Sequence, residues 1–360
     1  MRPIIENRHD LAQLAAHLAS ASTIALDTEF LRERTYRANL CLLQIGDAHG
    51  PVCIDPIAIE DLSALAAPLC AAKPLKVMHA SRQDVEVLLP AVGLVRPVFD
   101  TQIAAALAGF AAQIGYGELV RRLLGVELTK AHTRTDWSRR PLSTQQIDYA
   151  LDDVRYLPAL AEQLTGELER LGRARWLEEE LAALADPTAY SVEPERAWLR
   201  VKGLQGLDAA RTRLARELAA WRELRAMERN RPRGWILDDA GLREIVLAAP
   251  RSAQALAAIA SLPAAVVEHC AEDILERIHA AELPEVLQPL ETRMRPDPQR
   301  TALVKKLSAV LRAAAADLAL SPEVLATRRD LELIAAGQID VPPLGGWRRA
   351  VIGERLLAAL

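Results

Sequence analysis

The sequence predicts an α/β domain, a mixed sheet flanked by helices, followed by domains that are wholly helical. Strand-like and helix-like periodicities alternate up to about residue 160. Beyond it Ala, Leu, Arg and Glu dominate, a composition that favours helix. Proline-bearing breaks at Asp186-Pro187, at Glu193-Pro194 and through Leu283–Asp297 divide the helical part. The expected organisation is therefore a catalytic-size domain at 1–185, a linker at 186–207, a helical domain at 208–285 and a second, diverged helical domain at 286–360.

Each element has a local cause. Thr23–Phe30, Leu40–Gly46 and Val52–Ile54 read as strands, with Gly50-Pro51 as the turn, and their close spacing predicts an antiparallel meander. Asp61–Cys70 reads as helix, Lys76–His79 as a short strand and Asp84–Leu89 as helix. Thr101–Ala108 and Tyr116–Leu124 continue the helical pattern. Ser143-Thr-Gln-Gln146 is a capping box, with Ser143 at the N-cap and Gln146 at N3, opening a helix through Asp153. In the helical part, Arg211–Met227, Asp238–Ala248, Ser252–Ile259 and Ala264–Ile278 form a four-helix set with short connections. Thr301–Leu360 repeats the order of long helix, loop and short helix, and reads as a diverged copy.

The chain has 360 residues, with 51% hydrophobic and 26% charged side chains, the balance of a water-soluble globular protein. No stretch reaches the roughly 18 uninterrupted apolar residues of a membrane span, and no apolar segment near His9 and Asp10 resembles a signal peptide. Cys41, Cys53, Cys70 and Cys270 form no C-x-x-C pair, so a reducing cytoplasm is the expected setting. The net charge of −4 hides an asymmetry: Glu195–Arg233 holds eleven basic against five acidic residues, and the rest of the chain is correspondingly acidic. Such a division suits a protein that holds metals in one place and phosphates in another.

Four carboxylates carry the chemistry. Asp27 and Glu29 stand two apart in the apolar strand Ile24-Ala-Leu-Asp-Thr-Glu-Phe30, and so share a face. Tyr149 and Asp153 stand at i and i+4 and share a helix face. Asp152 is turned about 100° away from Asp153, which leaves Asp153 as the partner of Tyr149. Asp84 supplies the fourth acid; its rival Asp100, followed by Thr-Gln-Ile-Ala, reads as an N-cap. An oxygen-only cluster selects hard divalent ions, and two such ions, Mg²⁺ or Mn²⁺, about 3.5–4 Å apart, suit phosphodiester hydrolysis. Asp27, Glu29 and Asp153 are the expected ligands, with Asp84 supporting. The Tyr149 hydroxyl, with an ordinary pKa near 10, is expected to orient water rather than act as a base.

Ile-Ala-Leu-Asp27-Thr-Glu29-Phe, Met-His79-Ala-Ser-Arg-Gln-Asp84 and Tyr149-Ala-Leu-Asp-Asp153 resemble the three exonuclease motifs of DEDD nucleases, in the DEDDy branch. Arg-Glu-Arg-Thr-Tyr36, Phe99-Asp100-Thr-Gln102 and Thr135-Asp-Trp137-Ser-Arg-Arg-Pro-Leu142 look like the bacterial ribonuclease D family. The set around Arg231-Pro-Arg-Gly234-Trp is similar to the HRDC domain (helicase and RNase D C-terminal). The resemblance covers nearly the whole chain and is weakest past Asp297. It implies an RNase H-like fold, 3′→5′ exoribonuclease activity releasing nucleoside 5′-monophosphates, and RNA substrates such as tRNA precursors with 3′ extensions. His132 stands where Gln is frequent in the family, which puts a substrate contact there in doubt. Tyr36, Lys130, Arg134, Trp137, Arg139 and Arg140 are candidate RNA contacts, by stacking or by phosphate binding, with a core role as the plain alternative for Trp137. The same acids would serve a DNA exonuclease, and a catalytically dead RNA-binding scaffold would share the frame. No protein partner is assigned.

Overall fold

The computed structural model describes residues 4–129, 135–204, 206–281 and 297–360. The described residues fall into two compact units: those within Met1–Leu31, Leu40–Tyr190 and Pro296–Leu360, and those within Arg32–Asn39 and Ser191–Arg295.

The first unit is built on a six-stranded sheet in the order β1-β4-β3-β2-β5-β6. Its strands are β1 (Ile4–Ile5), β2 (Thr23–Leu31), β3 (Asn39–Asp47), β4 (Gly50–Ile54), β5 (Leu75–Met78) and β6 (Val98–Asp100). β3 and β4 pair antiparallel, Gln44 opposite Cys53, across a turn at Ala48-His49; Gly50 and Pro51, the expected turn, already belong to β4. β1–β4, β2–β5 and β5–β6 pair parallel. The sheet is thus mixed, as expected. The meander is only its central part, because β4 pairs onward with the N-terminal β1, two residues too short to read in the sequence.

Helices cover both faces. They are α1 (Arg8–Leu18), α2 (Arg82–Val92), α3 (Thr101–Leu107), α4 (Tyr116–Leu124), α5 (Thr144–Arg155), α6 (Leu157–Arg170) and α7 (Ala174–Ala182). The alternation of strand side chains divides the core. Ile24, Leu26 and Met78 pack with Leu11, Leu14 and Leu18 of α1 and Val85 and Leu88 of α2. Ala25 and Val77, one residue out of phase, pack on the other side with Val154 of α5 and Leu157, Leu160 and Leu164 of α6. Asp27 and Glu29 have the parity of Ala25, so the α5 side is theirs. The helix expected over Asp61–Cys70 is narrower, a 3₁₀ turn at Ser63–Leu65 running into a helix at Ala66–Cys70.

The second unit contains α8 (Ala209–Glu228), α9 (Asp239–Ala248), α10 (Ala253–Ala257) and α11 (Ala264–Ala280). Leu214 and Leu218 of α8, Ile245 of α9, Leu256 of α10 and Ile274 of α11 meet in one core. Part of the expected linker belongs here as well: Pro194–Arg200 is a 3₁₀ segment whose Ala197 is buried in this core.

The expectation of a separate domain over 286–360 needs correction at the level of packing. Helix α12 (Pro298–Asp317) buries Leu307, Leu311, Ala314 and Ala315 in the cluster that holds Phe99, Ala104 and Leu160. Arg173 ties the join, donating to the carbonyls of Leu107 (2.7 Å) and Leu318 (2.6 Å). Gly109 allows the close approach: at φ +102 a Cβ there would stand 2.8 Å from the Ala319 carbonyl oxygen. The segment completes the first unit rather than standing alone.

Candidate active site

β2 and α5 assemble the site. Ser143 caps α5 by accepting from Gln146 N (3.2 Å), and Gln146 Oε1 accepts from Ser143 N (2.8 Å), the predicted capping box. Ala150 and Val154 are buried on the sheet side of α5, which sets the helix rotation and delivers Tyr149 and Asp153 to the acids of β2. One carboxylate oxygen from each of Asp27, Glu29 and Asp153 lies within 4.8 Å of the other two. Asp152 is turned away to Arg155, 2.5 Å distant. The helical argument for Asp153 therefore agrees with the geometry.

Asp84, in the first turn of α2, is 7% exposed and accepts a hydrogen bond from Thr28 Oγ1 at 2.5 Å. Thr28 sits between Asp27 and Glu29, so this bond registers α2 against the catalytic strand. Asp84 lies outside the tight trio yet near enough for its charge to act on Asp27. Asp100 is the N-cap of α3, accepting from Gln102 N (2.8 Å) and Ile103 N (3.2 Å). It also accepts from Ser81 N (2.7 Å) and Ser81 Oγ (2.8 Å), pinning the loop that leads into α2. Asp100 is a positioning residue for Asp84.

The electrostatics are those of a site built for cations. Burial, then the charges of Asp84, Asp153 and Glu29, push Asp27 well above the usual carboxylate range. Glu29 is pushed up to about 8 by burial and by Asp153 and Asp84. Asp84 and Asp153 reach about 7, burial leading in each. Buried like charges cannot all ionise without a counter-cation, and the all-oxygen donor set fits divalent metal ions. The Tyr149 hydroxyl is held far above its ordinary value by burial and by Asp153, Glu29 and Asp27, so it stays protonated at neutral pH.

Two supports were not legible in the sequence. Tyr116 Oη donates to the Asp152 carbonyl (2.8 Å) and accepts from Tyr156 N (3.2 Å), bracing the end of α5 beside Asp153. Thr28 is the other; a threonine in a strand has no signal that marks it as a carboxylate's partner. His79 is structural, its Nε2 3.0 Å from the Ile114 carbonyl and its Nδ1 2.9 Å from Thr101 Oγ1.

The candidate RNA contacts divide. Trp137 is 4% exposed and stacks on Tyr149, ring centroids 6.2 Å apart, so it has no face for a base and shapes Tyr149 instead. Arg140 is spent on Asp55 (2.6 and 2.8 Å) and on the carbonyls of Trp137 and Cys41. Tyr36 belongs to the second unit, where its hydroxyl donates to buried Glu223 at 2.5 Å. Each of these three side chains is thus engaged within the protein, and Trp137 takes the core role that was its alternative. Arg139 remains exposed, 3.1 Å from Asp136. Lys130, His132 and Arg134 lie outside the described residues.

Comparison with known proteins decides the family. A sequence model described as 3′-5′ exonuclease matches residues 3–169, and one for the HRDC domain matches residues 211–278. A ribonuclease D from Granulibacter bethesdensis is 39% identical, the alignment covering 99% of this chain and 91% of that protein. The chain belongs to the ribonuclease D family. A ribonuclease D from Sphingobium indicum is 38% identical over 98% of this chain and 93% of its own. The crystal structure of Escherichia coli RNase D superposes with a TM-score of 0.88 at 30% identity, over 99% of this chain and 98% of that one. That enzyme is an exoribonuclease involved in structured RNA processing. Like its family, this chain is a 3′–5′ exoribonuclease with an RNase H-like catalytic domain and an HRDC domain. Among the described residues no helix is long and apolar enough to cross a membrane.

Proposed function

We propose that the chain removes nucleotides one at a time from RNA 3′ ends, releasing nucleoside 5′-monophosphates, and that tRNA precursors with 3′ extensions are its substrates. The observation that carries the reading is the convergence of Asp27 and Glu29 of β2 with Asp153 of α5, the helix that also bears Tyr149. Two divalent ions, Mg²⁺ or Mn²⁺, held by Asp27, Glu29 and Asp153 with Asp84 in support, would supply a water nucleophile near neutral pH and neutralise charge at phosphorus. Tyr149, kept protonated by burial and then by its acidic neighbours, has a hydroxyl that can orient the attacking water but cannot take its proton. Trp137, stacked beneath it, fixes the ring. Asp84 acts through Thr28 to hold the strand that bears Asp27 and Glu29.

RNA grip outside the site is supported by the second unit. Trp235 is 56% exposed, with the Arg231 guanidinium 5.7 Å from its ring centroid, a pair suited to stacking on a base and meeting a phosphate. The arginine surplus of this region is smaller in effect than its count. Arg211 pairs with Asp208, Arg222 with Asp239, Arg225 with Asp273 and Arg233 with Glu223. Arg139 is the remaining described candidate beside the third motif.

The test is incubation of a 3′-extended tRNA and a matched DNA strand with the protein and Mg²⁺, followed by sizing. Stepwise shortening of the RNA from its 3′ end, with 5′-monophosphates as products, is expected, and is abolished by chelation and by Asp27→Asn or Asp153→Asn. Full activity in both variants, or preference for the DNA, would overturn the reading.

A further inference from the structure

A second cluster of ligand-bearing side chains lies on the first unit, apart from the acids of the site. His17 occupies the last turn of α1, Asp47 is the last residue of β3, and His49 lies in the turn to β4. His17 Nε2 is 2.5 Å and His49 Nδ1 is 3.4 Å from the same oxygen, Asp47 Oδ2, and the three atoms all lie within 4.8 Å of one another. The two rings meet edge to face with centroids 4.5 Å apart. We propose that these three residues form a site for one divalent transition-metal ion of the Zn²⁺ type.

The construction is that of an anchored ligand with an open mouth. Asp47 Oδ1 accepts the His49 backbone N–H at 2.8 Å, which fixes the carboxylate and leaves Oδ2 facing both rings. The Asp47 side chain is 7% exposed, against 38% for His17 and 75% for His49. Burial resists ionisation of Asp47, but the His49 backbone N–H and the His17 ring outweigh it and hold the carboxyl below its usual range. The fixed ligand is thus anionic, and the exposed ones can adjust.

Donor chemistry separates this cluster from the acidic one. Two imidazole nitrogens with one carboxylate oxygen suit Zn²⁺, Co²⁺ or Ni²⁺, whereas oxygens alone suit Mg²⁺ and Mn²⁺. Around zinc, ligands at about 2.0–2.1 Å in a tetrahedron stand roughly 3.3–3.4 Å apart. The His49 separation already has that value; the His17 separation is that of a hydrogen bond, and its exposed ring must withdraw by a little under ~1 Å. Three protein ligands leave a fourth position for water. An ion bound there would clip the end of α1 to the β3–β4 turn.

The test is Co²⁺ titration of tag-free protein in saturating Mg²⁺, followed by visible absorption and equilibrium dialysis. One equivalent of Co²⁺ that Mg²⁺ does not displace and Zn²⁺ does is expected, with the intense bands of a four-coordinate nitrogen–oxygen site. Zn²⁺ should raise the melting temperature of wild type and not of His17→Gln. His17→Gln and His49→Gln should each weaken binding by no less than the roughly 10–100-fold that follows loss of a ligand's outer partner. Both sit at the surface, and unchanged circular dichroism would show that they fold. Asp27→Asn should leave the absorption intact, which separates this site from the acidic one. Absence of Co²⁺ binding in Mg²⁺, or the same binding in the His17→Gln/His49→Gln double variant, would overturn the proposal.

Discussion

Gln44 is fully buried in β3, and neither its amide nitrogen nor its amide oxygen finds a hydrogen-bond partner among the described residues. Its parity is that of Gly46, whose Cα faces Ala25 and Val154, so it lies on the sheet face that carries Asp27. A buried amide without partners costs roughly 1–3 kcal/mol, and Gln44→Met should therefore stabilise the protein by about 1 kcal/mol in urea unfolding. A destabilised variant would mean that the amide is satisfied, by an ordered water for example. Tyr149→Phe keeps the stack on Trp137 and removes only the hydroxyl, so kcat should fall by about 100-fold with folding unchanged; wild-type kcat would rule out the orienting role. The acids themselves give a pH signature. Glu29 near 8 and Asp84 and Asp153 near 7 stand above their unfolded values, so the folded protein without metal favours their protonated forms. That contribution is present below pH 4 and is lost as pH rises through 7–8. Metal binding needs the ionised forms. The rise in melting temperature on adding Mg²⁺ should accordingly grow from pH 6 to pH 8.5, and a pH-independent rise would contradict the assignment of these carboxylates as ligands.

At the scale of elements, α5 shows how far local chemistry dictates the site. Its start follows from Ser143 and Gln146, its rotation from Ala150 and Val154, and its active face from the four-residue spacing of Tyr149 and Asp153. Every step is local, so the sequence carried it. Ser143→Ala should cost about 0.5–2 kcal/mol, seen as a lowered unfolding midpoint, and an unchanged midpoint would show that packing alone fixes the helix. The same locality marked Asp100 as a cap. What stayed hidden depends on partners distant in the chain. Trp137 reads equally as a stacking platform or a core residue until Tyr149 is seen against it, and Arg140 reads as a phosphate ligand until Asp55 is found 85 positions away. Lys76 is a stronger case: a charged residue in a strand pattern suggests solvent, yet it is fully buried, its ammonium donating to the carbonyls of Ala71 (2.8 Å) and Pro74 (2.7 Å). Burial pushes that lysine down to about 8.

For the whole molecule, the consequential finding is that Pro298–Leu360 shares a core with the catalytic unit although more than a hundred residues separate it from the end of α7. Sequence breaks mark linkers, but they cannot say to which neighbour an amphipathic segment returns. Trp347 is the point of closest dependence. It is 6% exposed, stacks on Trp176 with centroids 4.4 Å apart, and donates from its backbone to Glu179 (2.7 Å) and from its indole to Glu180 (2.8 Å), which also holds Arg348. Trp347→Ala removes a large buried side chain and should cost about 3–5 kcal/mol, a fall in melting temperature of roughly 6–20 °C for a unit of this size. Its reach distinguishes a shared core from a separate domain. Hydrogen exchange should quicken in α3 and α6 of the catalytic unit as well as in α12, because Ala104, Leu160 and Leu311 belong to one cluster, while α8 to α11, whose core is their own, keep their protection. Quickening confined to residues 298–360 would show instead that the segment folds independently and that the catalytic unit is complete without it.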